Sequence, residues 1–247
     1  MSHERRVFID GELLPGATVE LPPQAAHYIS TVLRLKAGHQ LVAVSKSSSS
    51  EFDAIVAALA PTVSIKILSK RRTKAPRSRI GTVCVALLKG DRNDLLCDYL
   101  TELGVAQIVF FQAARSIAKV APETASKKLE RWCKIAQSAA GQSGRADIPT
   151  VAIKLGLEEA LRTIESQTGD TVLCCSLADD AKELKSIELG RGLVHLVIGP
   201  EGDFSPEEET LLSQADTQKL SLGPIRLRAE VAALAAVCAV NSVVGFA

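Results

Sequence analysis

From Ile80 onward the 247-residue chain alternates short apolar runs with helical patterns, and this alternation limits the available folds more than any other feature. Ile80 to Leu88, Ala106 to Phe111, Val172 to Ser176, Leu193 to Ile198 and Lys219 to Leu222 read as strands. Asp91 to Leu103, stopped at Gly104, then Thr124 to Ala140 and Glu158 to Glu165 read as helices, and so does Ala229 to nearly Ala247. Strands separated by helices imply a mostly parallel sheet covered by helices, the α/β class. In open sheets of that class, small molecules bind at the carboxyl ends of the strands.

The first 70 residues follow another pattern. Val7 to Asp10, Thr18 to Leu21, Gln40 to Val44, Glu51 to Ala58 and Thr62 to Leu68 are short apolar runs broken by Gly, Pro or Ser. Pro22 to Leu35 has helical spacing, with Ala26, Ile29, Leu33 and Leu35 near one face. Short strands so spaced suggest a small β-barrel, which divides the chain into 1–72 and 73–247. Near the division lie Lys66, Lys70, Arg71, Arg72, Lys74, Arg77 and Arg79, and no acidic residue occurs from Ala54 to Gly90. A block of like charge needs solvent or an anionic partner, so both a solvated linker and a phosphate-backbone footprint fit it.

Composition bounds the remaining possibilities. Apolar residues make up 47% of the chain, enough for a packed core, and the net charge is +1. No apolar run is long enough to cross a membrane, and the amino end lacks the apolar stretch of a signal peptide, so a soluble cytoplasmic protein is expected. Cys84, Cys97, Cys133, Cys174, Cys175 and Cys238 form no C-x-x-C pair and read as reduced thiols, mostly in the core. The four histidines are scattered, so no metal site is expected.

Two loops near the carboxyl end carry the chemistry. Ile198-Gly199-Pro200-Glu201-Gly202-Asp203-Phe204-Ser205 follows a strand and opens a helix: Ser205 suits the N-cap, Pro206 the first helical position, and Glu207 to Glu209 the positive end of the dipole. Leu222-Gly223-Pro224-Ile225-Arg226-Leu227-Arg228 leads into Ala229-Glu230 and a thin, alanine-rich helix, expected to be buried on all sides. Glycines 199, 202 and 223 let backbone approach a ligand closely. The loops have neither the Lys and Ser/Thr of a phosphate loop nor a G-x-G-x-x-G turn. Backbone groups with apolar walls from Leu222, Ile225 and Leu227 suit a neutral ring such as adenine. Glu230 reads equally as dipole complementation, and Arg228 as a surface ion pair or a site cation.

The two loops, GPEGDFSPEE and LGPIRLRAEVA, resemble the ribosomal RNA small-subunit methyltransferase E family, of the knotted SPOUT class. The resemblance extends to His27 with Val32-Leu33-Arg34, Lys89-Gly90-Asp91-Arg92, Thr101 to Val105, Arg115-Ser116, Leu129 to Trp132 and Gln142 to Arg145. It implies a PUA-like RNA-binding barrel at the amino end and a trefoil-knotted domain threaded by the final helix. It also implies S-adenosylmethionine as methyl donor, a homodimer, and N3 of a uridine in small-subunit (16S) ribosomal RNA as acceptor, within the assembled subunit.

On this resemblance the donor is held by Ser176, Leu177, Ile198, Gly199, Pro200, Glu201, Gly202, Leu222, Gly223, Ile225, Leu227 and Arg228. Arg228 stabilises the developing uracil anion, and Glu230 orients it or accepts the proton. Arg34, Arg71, Arg72, Arg92 and Arg145 are the candidates for RNA phosphates, and Trp132 is read as packing. The chain departs from the family pattern at Asp203, where glycine is usual and a carboxylate faces the ligand. Further departures are the Ile225-Arg226 order, Val231 in place of threonine, Asn93 in place of an apolar residue, and Ser47 to Ser50 in place of an Asp-Gly turn. Two other readings remain at this level: a ribose 2′-O-methyltransferase of ribosomal or transfer RNA, and an inactive RNA-binding assembly factor.

Overall fold

The computed structural model describes residues 4–72, 78–164 and 167–246. Lys74, Pro76 and Arg77 of the basic segment, and Glu165 at the expected end of the short helix, lie outside the described residues. The chain forms two compact units, Met1–Ala75 with Gln137–Ile148, and Pro76–Ala136 with Pro149–Ala247.

The first unit contains β1 (Arg6–Ile9), β2 (Thr18–Glu20), α1 (Pro23–His27), β3 (Gln40–Ser45), β4 (Glu51–Ala58) and β5 (Ser64–Lys70). They form one mixed sheet in the order β1-β3-β4-β5-β2, with β1 and β3 parallel and the other pairs antiparallel. Register shifts between Asp53 and Ala54, and again between Val56 and Ala58, mark irregularities of the kind that bend and twist a sheet. Strand alternation sends Val7, Ile9, Leu41, Ala43, Phe52, Ala54, Ile65 and Ile67 to one core, with Ile29 and Leu35. Phe8, Val42 and Val44 pack on the other side against Ala140, Ala146 and Ile148.

The helix expected over Pro22 to Leu35 is shorter. α1 gives way to a π-helical turn at Tyr28–Val32, and Arg34 takes a left-handed φ of 50° that returns Leu35 to the core. β-branched Ile29, Thr31 and Val32 disfavour a regular helix there.

The second unit contains β6 (Ile80–Ala86), α2 (Arg92–Glu102), β7 (Gln107–Phe111), α3 (Pro122–Ser143, whose last residues belong to the first unit), β8 (Thr150–Lys154) and α4 (Leu157–Leu161). It continues through β9 (Thr171–Cys175), β10 (Lys182–Glu183), β11 (Val194–Ile198), α5 (Pro206–Gln214), β12 (Gln218–Ser221) and α6 (Ala229–Val244). The seven strands pair in the order β10-β12-β9-β11-β6-β7-β8, and each described pairing between these strands is parallel.

β8 and β10 escape a periodicity reading. β8 is an edge strand with no fully buried residue, and β10 has two residues. Alternate residues of the central strands feed two cores. Val83, Val85, Ile108, Phe110, Leu173 and Leu196 meet α2 and α6 on one face. Cys84, Ala86, Val109, Phe111, Cys174 and Val197 meet Leu157, Ala160 and Leu212 on the other.

α6 differs from expectation. Ala229, Ala233, Ala236, Val237 and Val240 form one buried stripe, whereas Val231 and Val243 are 45% and 62% exposed. An all-apolar composition therefore does not enclose this helix within one chain. Cys84, Cys97 and Cys174 are buried as expected, Cys133 and Cys238 are exposed, and all six cysteines are free. Trp132 is buried, with its ring centroid 4.5 Å from that of Phe110, and its indole N–H donates to Asp94 Oδ1 at 2.8 Å.

Gly81 of β6 faces His195 of β11 with no room for a side chain. The buried His195 imidazole lies over it, Nδ1 accepting the Thr82 N–H at 3.0 Å. A Cβ at position 81 would stand 2.6 Å from Cε1 of that ring. Gly81→Ala is expected to lower stability by about 1–3 kcal/mol through overpacking, read as a reduced denaturant midpoint at unchanged slope.

Candidate active site

Because every strand of the second sheet runs the same way, the segments after β9, β11 and β12 leave from one edge. There they enclose a cavity of about 420 Å³. Cys175, Ser176 and Leu177 come from the end of β9. Ile198, Gly199, Pro200, Glu201 and Asp203 come from the β11 loop, and Leu222 with Ile225, Arg226, Leu227 and Arg228 from the β12 loop. Ala229 and Ala232 of α6 close the wall.

Local chemistry fixes the β11 loop. Ser205 caps α5 by accepting the Glu208 N–H at 3.3 Å, and Glu208 Oε2 accepts the Ser205 N–H at 3.0 Å, a complete capping box. The other carboxylate oxygen of Glu208 accepts the Ala114 N–H at 2.9 Å, tying the segment after β7 to the same helix start. Phe204 packs on Gly199, where a Cβ would lie 2.7 Å from the ring, so only glycine admits this fold of the loop. Asp203 holds a left-handed φ of 65°, and its Oδ1 accepts the Phe204 N–H at 3.2 Å.

A second brace positions Arg92. Asn93 is buried, and its amide receives the Leu88 N–H at 3.1 Å and donates to the Leu88 carbonyl at 2.7 Å. The polar residue at 93 thus satisfies the backbone of the turn after β6, as a buried peptide group requires. The neighbouring Arg92 guanidinium donates to Glu201 Oε1 and lies 3.6 Å from Glu230 Oε1. These carboxylates hold the guanidinium more firmly protonated than usual. The second oxygen of Glu230 is buried and has no donor among the described residues.

A family model described as an RNA methyltransferase domain matches residues 74–241. Ribosomal RNA small subunit methyltransferase E of Mycobacterium tuberculosis is 30% identical over 230 residues, spanning 92% of this chain and 87% of that protein. The chain belongs to this RNA methyltransferase family.

Other members align along almost all of it. The small subunit methyltransferase E of Bacillus subtilis is 28% identical over 91% of this chain and 90% of its own length. The Neisseria gonorrhoeae enzyme of the same name, solved with S-adenosylmethionine bound, superposes with a TM-score of 0.87 at 30% identity over 97% of this chain and 98% of that one. A Legionella pneumophila methyltransferase, also solved with that cofactor, gives 0.89 at 30% identity over 98% of both chains.

In this family member, Ser176, Leu177, Ile198, Gly199, Pro200, Glu201, Leu222, Ile225, Leu227 and Arg228, all named from sequence, share one cavity wall. Gly202 and Gly223 do not line it. Gly202 lies beneath Arg115, whose guanidinium donates to its carbonyl at 3.3 Å, and Gly223 supplies a turn at φ 105°. Cys175, Ala229 and Ala232 were missed, and Asp203 and Arg226, noted from sequence only as departures from the family pattern, line the wall as well. The two alanines sit one turn apart on the inner face of α6, a spacing the sequence displays; nothing in it singles out Cys175. Burial pushes the Cys175 thiol up to about 12, so it lines the wall as a neutral group and not as a nucleophile.

The proposed RNA arginines separate into two kinds. Arg34 and Arg72 are exposed, with no ion pair among the described residues. Arg71 donates to Asp53 Oδ1 at 2.7 Å and to Glu4 at 2.9 and 3.0 Å, which holds both carboxyls below their usual range. Arg145 is 9% exposed and paired with Asp147 at 2.7 Å. Arg92 is the bridge just described. These three are engaged by carboxylates within their own units, which the run of cations in the sequence did not reveal.

Glu208→Ala removes the capping box and leaves the Ala114 N–H without its acceptor. A loss of about 1–3 kcal/mol is expected in chemical denaturation, with Glu207→Ala as the near-neutral comparison.

Proposed function

We propose that this chain methylates N3 of a uridine in small-subunit (16S) ribosomal RNA, using S-adenosylmethionine. The observation that carries the reading is the cavity at the ends of β9, β11 and β12, in a chain whose 30%-identical structural relatives were solved with that cofactor. The residues present fit the donor. The volume is in the range of small-molecule sites. Leu222, Ile225 and Leu227 offer apolar faces to a purine, the loop backbones offer hydrogen bonds to its edge, and Glu201 can accept from hydroxyl and ammonium groups. When bound, S-adenosylmethionine supplies an electrophilic methyl on a sulfonium.

The remaining work belongs to side chains at the start of α6. Uridine N3 carries a weakly acidic proton, and transfer requires its loss to be favoured while the base is held in line. Arg228, exposed on the cavity wall with no carboxylate partner among the described residues, stabilises the negative charge that develops on the uracil carbonyls. Glu230, two residues on, does not line the cavity: one oxygen lies 3.6 Å from the Arg92 guanidinium and the other is buried without a donor among the described residues, so its part is to orient the site's cations, or to accept the proton once the loop exposes it. N3 lies on the Watson–Crick edge, so the uridine reacts unpaired or flipped out of its stack.

The reading extends to the rest of the chain. The first unit, with its mixed sheet, is a PUA-like barrel that binds RNA, with Arg34 and Arg72 as phosphate-binding groups. Residues 1–72 are then the RNA-binding domain, completed by the Gln137–Ile148 segment of the same unit, and the rest of 73–247 is the methyltransferase domain. The second unit is a trefoil knot. β11 inserts between β6 and β9, β12 passes to the far side of β9, and α6 returns over β6 and β11, the crossing order a threaded last helix needs. The outward apolar residues of α2 and α6, Leu95, Tyr99, Val231 and Val243, form the face of a homodimer. The substrate is the RNA within the assembled small subunit, which places the enzyme in the cytoplasm.

Two outcomes test this. Arg228→Ala is expected to cut methyl transfer to assembled small subunits by at least 100-fold at saturating donor, with RNA affinity changed no more than a few-fold; nucleoside digestion of the product locates the label on uracil N3 and not on ribose. Arg34→Glu with Arg72→Glu is expected to weaken RNA binding across sequences and to reduce its log–log salt slope by about 1 for each phosphate no longer neutralised.

A further inference from the structure

Two carboxylates face the cavity from the β11 loop, and their environments differ. Glu201 is neutralised by the Arg92 guanidinium that donates to it. Asp203 has no cation partner among the described residues; the hydrogen bond it takes, from the Phe204 N–H, occupies one oxygen. The other oxygen has no partner among the described residues, so the exposed carboxylate brings a negative charge to the wall, with Lys219 the cation of the neighbouring recess that Asp203 also lines. The backbone there is also costly: φ at Asp203 is 65°, a region in which most side chains are strained and glycine is at ease. A strained non-glycine residue in a ligand loop points to a role for its side chain. The cavity's cations, Arg226 and Arg228, lie on the opposite β12 loop. The cavity is therefore polarised, with the negative end at Asp203.

We infer that Asp203 lets this cavity prefer the sulfonium methyl donor over its demethylated product, an inference that rests on the cavity being the donor site. In methyl transfer the C–S bond breaks and its electron pair stays on sulfur, so a sulfonium cation becomes a neutral thioether. The donor and product then differ by one methyl and one positive charge. An apolar wall distinguishes them by the methyl alone, whereas an unpaired carboxylate adds a Coulomb contribution that the product does not receive. The consequence is weaker product retention, since the product leaves a wall whose charge it no longer balances.

The test is calorimetric binding of S-adenosylmethionine and S-adenosylhomocysteine to the full-length protein and to two variants. Asp203→Asn keeps the shape, the left-handed tolerance and an acceptor for the Phe204 N–H, and removes the charge. It is expected to weaken donor binding about threefold, equivalent to about 0.7 kcal/mol for an exposed charge, while product binding stays unchanged. Asp203→Gly is expected to lose the same selectivity and to raise the melting temperature of the ligand-free protein by about 2–4 °C as strain is relieved. Equal losses for donor and product, or no loss for the donor, would overturn the inference while leaving the donor site intact. Failure of the unaltered protein to bind either compound would instead remove the reading of the cavity, and this inference with it.

Discussion

The parallel pairing of β11 between β6 and β9 is the constraint on which the second unit rests. Parallel neighbours direct all their carboxyl ends to one edge, so three loops distant in sequence meet without any long excursion. The same pairing leaves both faces of each central strand to be covered, and two helical layers, each with its own core, do so. At the opposite end of these strands, Gly81 admits the buried His195 ring, whose Nε2 lies 3.5 Å from Asp170 Oδ2. Burial outweighs the carboxylate and lowers the affinity of His195 for a proton, so the ring is a neutral acceptor for the Thr82 N–H.

Once the sheet has brought the loops together, helix-terminus chemistry shapes them. The capping box fixes the direction in which the chain leaves the β11 loop, and the same Glu208 secures the segment after β7. Phe204 then closes on Gly199 from within, and Gly202 passes beneath Arg115. The cavity wall is thus the surface of a loop anchored by buried hydrogen bonds and one aromatic ring. Its positions are set before any ligand arrives, which is what preorganised binding requires.

Much of this was legible from residue order. Strands and helices with strong periodicity, such as β6, β11 and α2, lie close to their predicted limits. Ser205 and Pro206 mark the start of α5 because N-cap and N1 preferences are local. The loops of the cavity were legible because glycine, proline and an N-cap at the end of an apolar run have few other uses. β8 and β10 were hidden because an edge strand needs little apolar alternation, and two paired residues have no period at all. The segment after Pro22 misled because apolar spacing alone does not register a π-helical turn closed by a left-handed arginine. The full burial expected of α6 failed because composition describes what a helix can pack against, not whether one chain supplies it.

Charge is where the order of residues says least, and the arginines show why. Arg71 and Arg72 are adjacent in the chain and formally identical, yet one is held by Asp53 and Glu4, separated from it by 18 and 67 positions, and the other faces solvent. Arg92 and Arg228 are both at helix starts near the cavity; two carboxylates claim the first, while the second has none among the described residues. A cation already paired must give up its partner before it can hold a phosphate or an incipient oxyanion, and the exchange returns little of the Coulomb energy. The division of labour among these side chains therefore follows from which carboxylates the fold brings within reach. Glu230 follows the same logic in reverse: Arg92 meets one of its oxygens, and the other is buried without a donor among the described residues, two positions along from an Arg228 that has no carboxylate partner among them.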